Sequence, residues 1–495
     1  MTRPIGLAIA GVLFALLATA NAAGYRYGGS DQAFYIPAVT RALEPGAFPR
    51  DGALIDAQAR LIVVDDALAL AARTTGLSIE SLFLLGYLCA LALTWWGLVL
   101  IGERLYGSPW LIAALGAVIT LRHRIPQTSA NSFEPYFHPR MLAFALGLLA
   151  VGALLRGRHW ITVGLVATAA IVHTTTALWF AVLLGVALAV LVPLFRTLAI
   201  VGAVAAAGAL AWAVASGPLQ HAWVTMDATW LQAVASKDSL FADEWPAWVW
   251  AANVGMLAAL WAAVLRRRRR GAGAAVDMAL VWGATALAAV FVATLPFVAA
   301  RLSLAVEFQI SRIFWLIDIL ATVYLVGELE SLVAWRPHAV RYVVAVLVAL
   351  SVGRGVYVMT VEHPERALFA IHVPPSAWED AMAWVRQQPL TTHVLADPGH
   401  GWKYGTSVRV SGERDVFLEE VKDSAIAIYS HDVAARFVER TTALGDFAQL
   451  TAERARNLAR RYDLDVLVTT ADLPLPIAYQ NPQFRIYTLR DRSPQ

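Results

Sequence analysis

The chain has 495 residues, 58% of them hydrophobic and 15% charged, with a formal net charge of +3 and one cysteine. A soluble domain this apolar would have no polar surface to show water, so the composition excludes a soluble enzyme and indicates a polytopic membrane protein. The lone Cys89 excludes a disulfide framework or a cysteine-based metal site within one chain, and the small net charge gives no sign of a nucleic-acid partner.

Residues 5–20 form the first apolar segment, with Arg3 before it. The small residues Ala20-Asn21-Ala22 also fit a signal-peptide cleavage site, which stands as an alternative to a span. Either way the chain from Gly24 onward leaves the cytoplasm. Residues 24–78 do not read as a span. A short amphipathic helix is expected over 31–43, stopped by Glu44-Pro45-Gly46, and a second over 59–73, interrupted by Asp65 and Asp66; such helices lie in the plane of the bilayer surface. Asp31, in Gly28-Gly29-Ser30-Asp31-Gln32-Ala33-Phe34-Tyr35, stands where the chain emerges. Its carboxylate can act as a general base toward a lipid-linked substrate, or it can be an ordinary N-cap, a role that Ser30 also suits.

Spans follow at 79–101 and 109–121. A polar loop, 122–139, carries His123, Glu134 and His138, and a further span at 140–155 ends at Arg156-Gly157-Arg158. Residues 160–192 are too long for one span and short for two. Basic residues flank both ends, so the positive-inside rule makes this a hairpin with His173-Thr174-Thr175-Thr176 at its outer tip. Span 197–215 leads to an outer loop, 216–245, in which Trp223, Trp230 and Trp245 alternate with Asp238, Asp243 and Glu244. Span 247–265 returns to the five arginines Arg266 to Arg270, the strongest cytoplasmic marker in the chain. Spans at 276–299, 308–327 and 339–359 complete about eleven, with every basic cluster on one side and the C-terminus on the other.

From Glu362 the composition becomes that of a soluble α/β domain. Helices are expected over 376–388, 423–442 and 451–462. The β-branched runs 393–396, 466–469 and 484–489 read as strands. The expected organisation is a transmembrane domain, 1–360, with its first outer loop at 24–78, and an extracytoplasmic α/β domain, 361–495.

This layout, with an acidic first outer loop, about eleven spans and an external tail, resembles the GT-C superfamily. The C-terminal runs from Trp378-Glu379 to Trp384, Arg414 to Lys422, and Tyr462-Asp463-Leu464-Asp465-Val466-Leu467-Val468 look like the tail domains of bacterial members. The resemblance implies a glycosyltransferase of a bacterial inner membrane, working on its outer face. The donor would be a polyprenyl-phosphate sugar and the acceptor a lipid or glycan. It places Asp31 at the position of the first-loop catalytic carboxylate. The first loop holds no Asp-x-Asp, so a divalent metal is unsupported, and no other cofactor is implied.

Such a transfer needs a base for the acceptor hydroxyl and cations for the developing phosphate charge. Arginine suits phosphate because its planar fork binds oxygens in pairs. The candidates near the outer face are Arg140, Arg301 and Arg312. Arg312 is expected one turn inside an apolar span, where an unpaired charge is costly. His138, Glu134 and His173 are further candidates for holding the lipid phosphate or the substrate. Each has a plainer reading: helix N-terminus, solvated loop carboxylate and satisfied structural histidine respectively, with an interfacial role for Arg301. Asp31 and Arg312 are expected to line one outer-facing cavity. Two other functions fit the same sequence, a transporter or flippase for a lipid-linked substrate and a non-catalytic membrane assembly or sensor protein with an external binding domain.

Overall fold

The computed structural model describes residues 3–59, 62–121, 124–217, 219–220, 223–332 and 339–490; His123 of the polar loop lies outside them. Among the described residues seven helices are long and apolar enough to cross a bilayer: Ile79–Leu105, Thr174–Leu191, Pro193–Ala215, Ala247–Arg269, Ala275–Ala299, Ser303–Ser331 and Ala339–Glu362. Shorter apolar helices occupy Ile5–Asn21, Pro109–Thr120, Pro139–Leu155 and His159–Val172. The chain is a polytopic membrane protein.

It folds as two compact units that interleave along the sequence. The first comprises Met1–Tyr25, Leu85–Thr225 and Asp238–Phe369, and the second Arg26–Leu84, Met226–Lys237 and Ala370–Gln495.

In the first unit the helices meet through small residues, because lipid gives apolar side chains no incentive to leave it and close backbone packing must supply the attraction. A Cβ on Gly283 would fall 2.1 Å from the Leu183 carbonyl oxygen, and one on Gly147 would fall 2.1 Å from the Phe180 ring. The hairpin expected over 160–192 divides at His173 into His159–Val172 and Thr174–Leu191. The His173 ring supplies the break: its Nδ1 accepts from the Thr176 amide at 3.3 Å, capping the second helix. Helix Pro193–Ala215 buries only Phe195, as suits a helix facing lipid. The arginine run closes helix Ala247–Arg269, and Arg267 reaches the buried Asp277 carboxylate at 3.3 Å, which also accepts from the Tyr324 hydroxyl at 2.9 Å.

The second unit is built on a five-stranded sheet. Its strands are β1 (His393–Leu395), β2 (Asp415–Val416), β3 (Val466–Thr469), β4 (Ile477–Gln480) and β5 (Arg485–Thr488), in the order β2-β1-β3-β5-β4. β1 runs parallel to β2 and β3, whereas β5 is antiparallel to β3 and β4. Side chains alternate across a strand, and the two faces separate cleanly. Leu395, Leu467 and Tyr487 join one buried cluster with Leu444 and Leu458; Val394, Val466 and Ile486 join another with Trp378 and Val385. Both faces are therefore covered, which explains the continuous apolar character of β1 and β3.

Two expectations change here. The helix expected over 31–43 runs Gln32–Leu43 and is covered by protein: residues Gln32 to Val39 are all buried, packed against helices Gly52–Ala59 and Val64–Thr75. The helix expected over 423–442 is two, Glu420–Ile426 and His431–Leu444, because Ser430 adopts extended backbone and its side chain caps the second.

Candidate functional site

In the second unit the turn before helix Gln32–Leu43 is fixed locally. Gly28 has a left-handed φ of +78°, and its amide donates to the Gln32 side chain at 2.7 Å. Asp31 occupies the N-cap position, yet its side chain makes no capping bond. It accepts instead from Lys422 Nζ at 2.8 Å, with 30% of the side chain exposed. Lys422 is buried and lies 5.1 Å from the Phe34 ring centre. Lys237 donates to the Val421 carbonyl at 3.3 Å; burial lowers its ammonium pKa, and the Lys422 charge lowers it further while Asp31 and Glu420 oppose.

Behind this turn lies a buried ion network that the sequence does not announce. Arg409, 1% exposed, donates to Asp51 at 2.8 Å and to Asp423 at 2.7 Å, and lies 3.4 Å from Glu419. Asp51 also accepts from Arg436 and, at 3.0 Å, from the Val416 amide. Burial pushes the Asp51 carboxyl up, but the Arg409 and Arg436 guanidiniums more than reverse this and hold it well below the usual carboxylate range. Asp415 accepts from the Arg50 and Asp51 amides at 3.0 and 2.9 Å. The segment carrying Asp51 is thus locked onto the sheet edge at β2.

In the first unit most of the predicted binding residues gather at the start of helix Pro139–Leu155. His138 caps it, with Nδ1 accepting from the Arg140 amide at 3.0 Å. Arg140 pairs with Glu134 at 3.0 Å, both nearly fully buried, and its guanidinium lies 5.9 Å from the Trp315 ring centre. Glu134 also accepts from Asn131 at 3.4 Å. The His138 and His173 rings are 6.1 Å apart, and His138, Arg140 and Arg312 all act electrostatically on His173. Arg312 lies within the apolar helical segment Ser303–Ser331. It ends the 3-10 turn Ile310–Arg312, just before helix Ile313–Leu332, because Gln309 turns left-handed at φ 46°. Arg301 is engaged elsewhere: it pairs with Asp243 at 2.9 Å and with Glu244, and lies 4.5 Å from the Phe241 ring centre. Among the described residues no three His, Cys, Asp or Glu side chains converge as metal ligands.

Glu134, His138, Arg140, His173 and Arg312 therefore form one polar cluster in the first unit. Asp31 belongs to the second unit with Lys422 and Lys237. Sequence reasoning missed both lysines, since a separation of 391 residues between Asp31 and Lys422 leaves no local signal.

No family model and no curated protein matches the chain. Among solved structures it is similar to the oligosaccharyltransferase of Archaeoglobus fulgidus in its apo form, at 12% identity and a TM-score of 0.48, over 94% of this chain and 69% of that one.

Proposed function

We propose that the protein is a glycosyltransferase of the GT-C type. It takes a sugar from a polyprenyl-phosphate donor and passes it to a lipid or glycan acceptor on the outer face of a bacterial inner membrane. Asp31 is the general base. The topology assigned to it has about eleven spans, an inner N-terminus and an external domain at 361–495.

One observation carries the reading. Asp31 stands at a helix N-cap, where its carboxylate would ordinarily satisfy backbone N–H groups, but it is withheld from the cap and kept partly exposed beside an ammonium. The nearby positive charge favours the ionised form, which a base requires. Its side chain is 30% exposed, and an acceptor hydroxyl would approach from that side. In the reaction Asp31 takes the hydroxyl proton, the acceptor oxygen bonds to the anomeric carbon, and the bond from that carbon to the phosphate oxygen breaks. The polyprenyl phosphate leaves with the electron pair. Arg312 and Arg140, supported by His138, His173 and Glu134, hold the lipid phosphate; the paired Glu134 fixes the Arg140 fork in orientation.

The test is transfer of radiolabelled sugar from a panel of polyprenyl-monophosphate sugars in membranes holding equal amounts of wild-type protein, Asp31→Asn and Asp31→Glu. Loss of the base is expected to lower the rate about 10²- to 10⁴-fold in Asp31→Asn, with partial recovery in Asp31→Glu. Full transfer by Asp31→Asn would remove the catalytic assignment.

A further inference from the structure

We propose that the cavity between helices Gln32–Leu43, Gly52–Ala59 and Val64–Thr75 of the second unit binds a primary ammonium group on a small organic body, through Asp65. The cavity measures about 340 Å³, at the lower end of the range for small-ligand sites. Ala38, Ala42, Ile55 and Ala59 give it an apolar wall, and Arg41, Asp56, Asp65 and Asp66 give it a charged lining in which carboxylates outnumber the guanidinium.

Asp65 is 6% exposed, and its Oδ1 meets no hydrogen-bond partner among the described residues. A buried carboxylate oxygen without a donor is costly, and this one lines a cavity that can admit a donor. Among the described residues the cations at this cavity face other groups. Arg41, from the first helix, sits 3.3 Å from Asp56 of the second. It lies across Gly52, where a Cβ would fall 2.0 Å from its guanidinium. Arg73, on the same helix as Asp65, donates to the Ala42 carbonyl. Asp65 and Asp66 are left without a matching cation among these groups. Burial pushes the Asp65 carboxyl up to about 6, against backbone N–H groups of Asp65 and Asp66 that lower it, and the Asp66 charge adds to the rise.

A cation completes this site, and the donor set selects its kind. Too few carboxylate or imidazole groups converge to hold a metal ion. An ammonium needs only one charged acceptor for its strongest bond, and its carbon body can lie against the alanine and isoleucine walls. Amino sugars and the ethanolamine headgroup of a phospholipid both carry this chemistry. The site stands apart from Asp31 and does not depend on the transferase reading.

The experiment is calorimetric titration of the full chain in phosphatidylcholine nanodiscs. The probes are glucosamine, N-acetylglucosamine and O-phosphoethanolamine. At least one amine is expected to bind, glucosamine indicating a sugar ligand and phosphoethanolamine a lipid headgroup. N-Acetylglucosamine is expected to give no heat. Affinity should rise from pH 5 to 7 as Asp65 ionises, and Asp65→Asn should weaken binding at least about tenfold. Equal binding of the acetylated sugar, undiminished binding by Asp65→Asn, or no binding by either amine would overturn the proposal. The comparison of glucosamine with its acetylated form uses wild-type protein alone, so it decides the matter even if the variant fails to fold.

Discussion

Both units bury charge, but they dispose of it differently. In the second unit Arg409 is surrounded by Asp51, Glu419 and Asp423, with Arg436 closing on Asp51. Every group there has opposite charge within contact distance, and the residues come from segments far apart in sequence. In the first unit Arg140 pairs with Glu134, and His138, Arg140 and Arg312 act electrostatically on His173. A network matched on all sides serves to join chain segments. The basic groups gathered at the start of helix Pro139–Leu155 are those proposed above to hold the lipid phosphate. Buried charge by itself thus does not mark a binding site.

The most severe way to sharpen this contrast is Arg409→Met. It leaves Asp51, Glu419 and Asp423 buried with Arg436 as the remaining close cation. Removing one partner of a buried ion pair costs about 3–5 kcal/mol, and here Glu419 and Asp423 lose their guanidinium while Asp51 keeps Arg436. The variant is expected to lose the protease resistance of residues 370–490 at temperatures where the wild type keeps it. An unchanged melting temperature and digestion pattern would show that the network contributes little to joining the segment around Asp51 to the sheet.

Much of the architecture was legible because it depends on local pattern. The apolar runs gave the helices of the first unit, and the basic flanks gave the break at His173. Strands β1 and β3 were legible as β-branched runs, and helix Ala452–Tyr462 was bounded by its Thr451 cap. Strand β2 was not, since two residues cannot establish a period and its place is fixed by parallel pairing with β1. Strand β4 is mostly exposed, so it lacks an apolar run. The burial of helix Gln32–Leu43 was also hidden, because an amphipathic pattern does not say whether lipid or protein covers its apolar side. Of the candidate site, the gathering of Glu134, His138 and Arg140 was visible from their closeness in sequence. Lys422 beside Asp31 and the Arg409 network are contacts across hundreds of residues, and one sequence holds no trace of them.

The corresponding change in the first unit is Arg140→Gln, alone and with Glu134→Gln. The single variant leaves Glu134 buried without its guanidinium and should lose stability, again by about 3–5 kcal/mol. The double variant removes both charges and should recover most of that loss. Sugar transfer should fail in both, because a neutral pair cannot attract a phosphate. Recovery of transfer along with stability would make Glu134–Arg140 a structural pair like those around Arg409.

A smaller, pH-dependent effect comes from His393 on β1. Burial pushes its imidazole pKa down to about 3, and its Nδ1 lies 3.1 Å from the Tyr462 carbonyl. The folded value lies below the unfolded one of about 6.5. Its contribution is therefore complete above about pH 6.5 and is lost as pH falls toward 3. Asp415 has the opposite sign: burial and the Asp51 charge raise it to about 6, so its contribution is present at low pH and lost as pH rises through 6. The two partly cancel in the wild type. Relative to wild type, His393→Gln should gain about 2 kcal/mol on going from pH 7 to 5, read as a narrowing gap between the two melting temperatures. A gap that stays constant would mean that His393 is not held neutral by burial.

The smallest effect is expected at Arg301. Its partners Asp243 and Glu244 lie side by side in the loop before helix Ala247–Arg269, and Glu244 has 63% of its side chain exposed. Solvent screens such pairs, and measured contributions are mostly below about 1 kcal/mol. The guanidinium also covers Phe241, so Arg301→Lys should keep the charge but lose the planar stacking and the fork. Arg301→Ala is expected to shift the melting temperature slightly and to leave sugar transfer within about threefold of wild type, less than 1 kcal/mol in barrier. If transfer instead falls as far as in Arg140→Gln, with melting unchanged, Arg301 belongs with the phosphate-holding residues. The basic cluster of the first unit would then extend beyond the start of helix Pro139–Leu155. The two variants together would set the boundary of the proposed anion site, because Arg140 is buried beside Glu134 and Arg301 is half-buried beside Asp243 and Glu244.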